Sequence, residues 1–362
     1  MNMQMRINKL ALGRQIVKSG VLKRLRQEFP LRPLLHDEEM KLSEKEATVL
    51  ACAEFRADAP ISVLRKQSGY RDHSIRYVLQ RLQERRVIAP VPFINLHRLG
   101  YTIYTMLFST MSEKGGVKEG ILKAFIASPE VLWVGEFGGE YQYGVAFCTK
   151  QFANLIQFLR GISQKYPAIF FDKAISVQIS STIFPRKYLT AKKVGLNPVT
   201  VASTKDTVEI DGLDERILSA ITSFGELSHR QLALKLQMPL STLELRIKKL
   251  HDKGVIAANI FVVDSAAFHR ESFKLLVYTK GLDPQLSSQL HKFCAGHRDV
   301  TYLIDNLGSW GYEIGVEVSK SEDVTAVIQE LYETFGNLIN TIKVLTKFRY
   351  PKVRWFPERA LV

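Results

Sequence analysis

The strongest constraint on this chain is that it carries one phrase twice. "LQRLQERRVIAPVPFI" (79–94) and "IKKLHDKGVIAANIFV" (247–262) share an apolar rhythm, and Val87 and Val255 stand 168 positions apart. The same offset holds backwards: Leu82 falls on Leu250, Leu64 on Leu232, Leu50 on Leu218 and Leu42 on Ile210. Blocks 42–89 and 210–257 therefore align without a gap. Identities are few, but the apolar positions agree, and those are the positions that core geometry fixes. The chain is expected to be an internal duplication.

Each block has the same parts. "LSEKEATVLACAEF" opens on Ser43 and Glu46, the S-x-x-E spacing in which a hydroxyl and a carboxylate satisfy otherwise unpaired amides at a helix start. "IDGLDERILSAITSF" puts Asp211 and Asp214 at those positions, a weaker form of the same device. A short second helix comes next ("PISVLRKQ", "SHRQLALKLQ"), then a turn ("GYRD", "MPLS") and a third helix ("HSIRYVLQRLQERR", "STLELRIKKLHDKG"). Three helices closing on an apolar step and a turn outline a winged helix-turn-helix. Beyond each block the pattern changes to period two, interrupted by helices, in the order βαββαβ of a ferredoxin-like domain. Val131 meets Val300 at an offset of 169, so one residue has slipped after the wing.

The expected fold class is therefore α+β, with two copies of a winged helix-turn-helix plus a ferredoxin-like βαββαβ domain of the RAM type. Its divisions are a basic helical arm at 1–40, winged helices at 41–95 and 209–264, effector and oligomerisation domains at 96–185 and 265–362, and a linker or loose strand at 186–208. The arm carries Leu12, Ile16, Val17, Val21 and Leu25 at helical spacing, and the absence of a small-residue cleavage pattern favours it over a targeting peptide.

Composition adds a partner. The formal net charge is +14 with a pI near 9.6, which favours a polyanion, either nucleic acid or an acidic membrane surface. No run of about 18 apolar residues occurs, so no membrane span is expected. Cys52, Cys148 and Cys294 are scattered and read as reduced, packed thiols. The histidines show no metal-ligand spacing, and no nucleophile or phosphate-loop motif is evident. No cofactor, metal or catalytic residue is expected, and the chain reads as a non-enzyme.

A winged helix followed by a small βαββαβ domain resembles the Lrp/AsnC ("feast/famine") family of transcriptional regulators. The residues that carry the likeness are "IDGLDERIL", similar to the family's L-D-x-x-D-x-x-I-L opening, and "RIKKLHDKGVI", close to its R-x-x-x-L-x-x-x-G-V-I. "SPEVLWVGEFGGEYQYGVAF" and "HRDVTYLIDNLGSWGYEIGVEV" are similar to its strand–G-x-x-D–strand segment. The likeness implies double-stranded DNA as partner, a cytoplasmic, nucleoid-associated location, assembly into homo-oligomers and a small-molecule effector such as an amino acid. Its G-x-x-D loop lines the effector site, which would place that site at Gly139, Tyr141 and Gln142 and at Gly308, Trp310 and Gly311. Neither run here ("GEYQ", "GSWG") contains the Asp that would pair with a ligand's ammonium group. The aromatics around these loops are expected to pack one effector sheet against the other.

The third helix of a winged helix enters the major groove. The first copy offers Arg71, His73, Ser74, Arg76, Tyr77, Gln80, Arg81 and Arg85, mixing cations for phosphates with groups able to read bases. The second offers Ser241, Thr242, Glu244, Arg246, Lys248 and Lys249, with Glu244 where the first has Arg76. A sequence-specific regulator with an asymmetric operator is expected. Two alternatives remain: an architectural DNA-coating protein, and an enzyme like the siroheme decarboxylases, which resemble the same fold. The latter use His and Arg in effector-domain strands, and "VLWVGEF", "YQYGVAF", "TYLIDNL" and "GYEIGVEV" contain neither.

Overall fold

The computed structural model describes residues 41–110, 115–166, 170–192, 194–281 and 283–357; the arm expected at 1–40 lies outside the described residues. The first copy begins with helices α1 (Glu44–Ala53), α2 (Ile61–Ser68) and α3 (Asp72–Glu84) and strand β1 (Ile88–Ile94). Ser43 and Glu46 close the full capping box before α1. Next come β2 (Thr102–Thr110), α4 (Gly115–Ala127), β3 (Val131–Gly138), β4 (Tyr143–Thr149), α5 (Phe152–Lys165) and β5 (Phe170–Ile183). A short strand, β6 (Val199–Ala202), lies in the expected linker and pairs with β5.

The order then recurs. Helices α6 (Gly212–Ser223), α7 (His229–Lys235) and α8 (Leu240–Asp252) lead into β7 (Ile256–Val263). The second βαββαβ unit is β8 (Glu271–Thr279), α9 (Pro284–Gly296), β9 (Val300–Gly308), β10 (Tyr312–Val318), α10 (Val324–Phe335) and β11 (Ile339–Val353).

After each third helix the chain enters a strand that leaves its own unit. β1 and β7 pair antiparallel with each other, so the strands that follow the third helices form a two-stranded ribbon joining the copies. Val91 faces Ile260, its counterpart at offset 169, so the ribbon lies on a pseudo-twofold axis. The slipped residue lies inside this ribbon. Phe93 pairs with Ala258 but Ile94 with Ile256, leaving Ala257 as the extra residue of a bulge.

The two effector sheets also join. Each is ferredoxin-like by itself, in the orders β5-β2-β4-β3 and β11-β8-β10-β9. The last strand of each is long enough to serve both: β5 pairs with β2 over its first half and with β9 over its second, and β11 pairs with β8 and then β3. The eight strands close into a ring, with β6 added beside β5. Closure gives each of those eight strands two neighbours, which shortens the edges open to strand-by-strand aggregation.

Alternation along the strands divides the cores. Tyr312, Ile314, Val316 and Val318 of β10 pack under α9 and α10, and Tyr143, Val145 and Phe147 of β4 pack under α4 and α5. The odd-numbered set of β10 turns the other way. Lys274 and Glu313 form a buried ion pair at 2.5 Å, capped by the Tyr302 hydroxyl donating to Glu313. Leu107, Phe137, Tyr141, Leu276, Trp310 and Leu345 fill the space between the sheets. Of the loop aromatics, Trp133, Phe137, Tyr141 and Trp310 thus pack sheet against sheet, whereas Tyr143 and Tyr312 lie under the helices.

Each three-helix unit docks on the opposite copy's connector. The core of the first takes in Phe261, Val263 and Ala267, and that of the second takes in Leu96, Tyr101, Leu132 and Cys148. Under the first unit, Arg186 donates to Glu54 at the end of α1 (2.5 Å) and to Glu317 of β10 (2.9 and 3.0 Å), and the Tyr188 hydroxyl donates to Glu317.

Candidate nucleic-acid interface

A helix-turn-helix exposes one face of its third helix because the other is needed for the core. In α3 the inward residues are Ile75, Val78 and Leu82; in α8 they are Leu243, Ile247 and Leu250. Both triads keep the 3- and 4-residue spacings of one helical stripe. The opposite stripe carries His73, Arg76, Tyr77 and Gln80 in α3, and Ser241, Glu244, Leu245 and Lys248 in α8, all exposed. Ser74 and Thr242 are half-buried at the stripe's border.

Turn chemistry sets the angle between the second and third helices. After α2 the chain turns through Gly69 at φ +77°, a left-handed conformation that a side chain disfavours. After α7 the equivalent positive φ, +53°, falls on Gln237. The third helices start behind Arg71 and Pro239, neither of which caps them by a side chain.

Two of the expected contact residues are tied down inside their own unit. Arg81 pairs with Glu46 of the α1 capping box. Arg246 donates to Asp211 at 2.6 Å and Asp214 at 2.9 Å, clamping the start of α6. Hydrogen bonding from Arg246 and from the Asp214 amide holds the Asp211 carboxyl below the usual range. These arginines brace the third helix against the first helix. Arg76, Arg85, Lys248 and Lys249 are exposed on the outer face, whereas Gln80 donates to Glu84 at 2.8 Å.

Three residues that sequence reasoning misses join this surface. Lys45 and Lys192 lie on the Tyr70 ring, with ammonium-to-centroid distances of 5.8 and 5.6 Å, beside Arg71. Lys192 comes from the linker, and no local pattern marks it. Leu245, more than half exposed at 54%, occupies the register of Tyr77, exposed at 64%. Apolar periodicity assigns leucines to cores, so an exposed one escapes it.

The loops expected to hold an effector lie between the copies. Gly139 (φ +122°) sits where a Cβ would meet the Val344 carbonyl oxygen at 2.6 Å, and Gly308 (φ +143°) sits 2.5 Å from that of Ile175 by the same measure. Both approaches are open only to glycine. Tyr141 is buried, and Trp310 is 1% exposed, with its amide donating to Ser176 Oγ at 3.2 Å. Gly311 donates to the Val277 carbonyl, and the Gln142 amide hydrogen-bonds Ser109 Oγ. Burial raises the Tyr141 hydroxyl's pKa, and Tyr278 beside it adds to the shift. Among the described residues no cluster of three or more His, Cys, Asp or Glu could hold a metal, and no helix is long and apolar enough to cross a membrane.

Comparison with known proteins agrees with this geometry. Residues 210–257, the second three-helix unit, match the family described as winged helix-turn-helix DNA-binding. An uncharacterized HTH-type transcriptional regulator of Pyrococcus furiosus is 28% identical over 131 residues, covering 36% of this chain and 86% of the relative. The siroheme decarboxylase NirDL, solved with an iron-uroporphyrin III analogue, is similar over 87% of this chain and 94% of its own, with a TM-score of 0.55 and 13% identity. That likeness is one of fold, and it spans both copies. Escherichia coli AsnC is 20% identical, covering 41% of this chain and 97% of its own with a TM-score of 0.35. The second three-helix unit is thus a winged helix-turn-helix by its family match, and the pair of helix-turn-helix and ferredoxin-like units stands twice in the fold.

Proposed function

We propose that this chain is a sequence-specific transcriptional regulator that binds double-stranded DNA through α3 and α8, its two RAM-type domains acting as an internal dimer. The single observation that carries the reading is the exposed stripe of α3, His73-Arg76-Tyr77-Gln80, set on a helix-turn-helix and flanked by Arg71, Arg85, Lys45 and Lys192. Such a stripe supplies cations for phosphates and side chains that discriminate base edges. Location with the nucleoid, further self-assembly, and an effector held near the 139–142 or 308–311 loop belong to the same proposal. Because the two helices differ, the operator is expected to be asymmetric. The test is binding of the whole chain to a randomised duplex pool across a salt series. Selection of one sequence, with affinity falling steeply as salt rises, is expected. Retention that ignores salt, or none at low salt, overturns the reading, and equal retention of unrelated DNA turns it into a coating protein.

The fold shared with NirDL favours a second reading, an enzyme acting on a carboxylated tetrapyrrole. Between the sheets of this chain stand Trp133, Phe137 and Tyr350 around the Lys274–Glu313 pair. Lys274 and Tyr302 are the groups there that suit a carboxylate. Titration of the purified chain with an iron uroporphyrin decides it: a shifted absorption band supports the enzyme, and an unchanged spectrum removes it.

A further inference from the structure

Aligned residue by residue, the two reading stripes differ in kind. At offset 168, His73 faces Ser241, Arg76 faces Glu244, Tyr77 faces Leu245 and Gln80 faces Lys248. All eight are exposed. A carboxylate here is costly beside phosphates, and an exposed leucine leaves apolar surface in water. Neither residue is buried in its own unit, and the ion-pair contact between exposed Glu244 and His229 is long. Glu244 stands 3.8 Å from His229 Nδ1, too far for a hydrogen bond, and Leu245 lies on the side of α8 away from Leu243, Ile247 and Leu250. In the major groove both acquire partners. An ionised carboxylate only accepts, and of the base edges the cytosine amino group there is a donor without an adjacent acceptor on its own base. A leucine side chain meets the thymine methyl, the only apolar group that groove displays.

We infer that α8 is a pyrimidine reader, Glu244 taking a cytosine amino group and Leu245 an adjoining thymine methyl, while α3 reads guanine through Arg76. The inference rests on the DNA-binding reading above and assigns each half of the operator to one half of the chain. Leu234 and Leu240, also exposed, widen the apolar part of the second surface. On the first surface their register is held by Lys66 and Asp72.

The experiment is selection from a randomised duplex pool by the full chain and by Glu244→Gln, Leu245→Ala and Arg76→Ala variants. All three positions are exposed, so the fold should survive, and circular dichroism checks it. Glutamine donates as well as accepts and pairs with adenine, so Glu244→Gln is expected to switch one cytosine position to adenine, by about tenfold in relative affinity. Leu245→Ala is expected to lower the preference at the neighbouring thymine several-fold, leaving the other half-site untouched. Arg76→Ala is expected to relax guanine in that other half-site only. The inference is overturned if Glu244→Gln and Leu245→Ala leave every base preference unchanged, which would make the second face a protein-docking or phosphate-only surface. It is equally overturned if they weaken all sequences alike. In both cases salt-dependent binding by the unaltered chain still stands, whereas its absence at low salt removes the DNA reading itself.

Discussion

Under the first three-helix unit Arg186 lies between Glu54 and Glu317. At the equivalent place under the second, Trp355 stands for Arg186, Thr222 for Glu54 and Cys148 for Glu317. Tyr101 likewise replaces Arg270, which on the first side pairs with Asp299 and stacks on Tyr188. Around Cys148 the second unit packs Tyr101, Leu132 and Phe356, and Trp355 meets Phe93 edge-on with ring centroids 6.0 Å apart. One unit is seated on buried charge, the other on apolar surface, over sheets of the same geometry. Buried ion pairs seldom exceed apolar packing in net stability, but they are directional and fail abruptly when one member goes. The comparison teaches that the seat under the first unit fixes orientation, and the seat under the second relies on area.

The largest test removes the shared cation. Arg186→Ala leaves two carboxylates buried, Glu54 fully, and should cost about 3–5 kcal/mol in urea denaturation, with hydrogen exchange quickening first in α1. A loss under about 1 kcal/mol would show that water reaches this seat and would dissolve the contrast.

A finer test separates the two carboxylates. Burial pushes the Glu54 carboxyl up, and Arg186 does not fully offset it. Burial acts the same way on Glu317, but Arg186, Lys347 and the Tyr188 hydroxyl outweigh it and hold that carboxyl below the usual range. The signs therefore differ. Glu317, depressed in the fold, contributes stability that is present above its unfolded value of about 4.3 and lost as pH falls through the folded one. Glu54, raised, contributes stability present below that value and lost as pH rises through its folded one. Glu317→Gln should thus cost about 2 kcal/mol at pH 7, and Glu54→Gln less. Equal losses would contradict the assignment.

On the apolar side, Cys148→Ser places a hydroxyl among side chains that offer it little, and about 1–2 kcal/mol is the expected cost. Burial also raises the pKa of all three thiols. Native protein should therefore react slowly with thiol reagents at pH 8. Fast labelling of Cys148 would mean that the second unit lifts off its seat.

This asymmetry explains what was legible in the sequence. The apolar register 42–89 on 210–257 gave both three-helix units, because cores repeat where geometry repeats. The βαββαβ order was likewise readable from period-two strands. The closed ring was not, since a strand that serves two sheets has the same alternation as one that serves a single sheet. Nor does any local pattern mark Lys352 near the end of β11, whose ammonium donates to the Ile126 and Ser128 carbonyls of the other copy. The partner of the wing strand was hidden for a similar reason: "VIAPVPFI" signals a strand and a turn but not whose strand it pairs with. At the interface, Arg81 and Arg246 resemble contact residues because a basic side chain on a helix carries no label saying whether it faces a carboxylate or a phosphate.

The smallest expected effect lies at the starts of α1 and α6, where the copies again solve one problem in two ways. Before α1, Ser43 accepts from the Glu46 amide, and Glu46 accepts in return from the Ser43 amide. Before α6, Asp211 accepts from the Asp214 amide with no reciprocal bond, and Arg246 supplies the missing restraint. Ser43→Ala should cost about 1 kcal/mol, the usual value of a lost cap. It should also free Arg81, whose partner Glu46 loses a hydroxyl donor that helps hold it in place. Asp211→Asn keeps the cap acceptor and removes only an exposed charge, so its loss should be smaller and should vanish in high salt. The two variants thus diverge as salt is added, with the serine variant's penalty persisting. If both penalties vanish together, the first copy's cap is electrostatic as well, and the two helix starts differ only in which residues carry the charge.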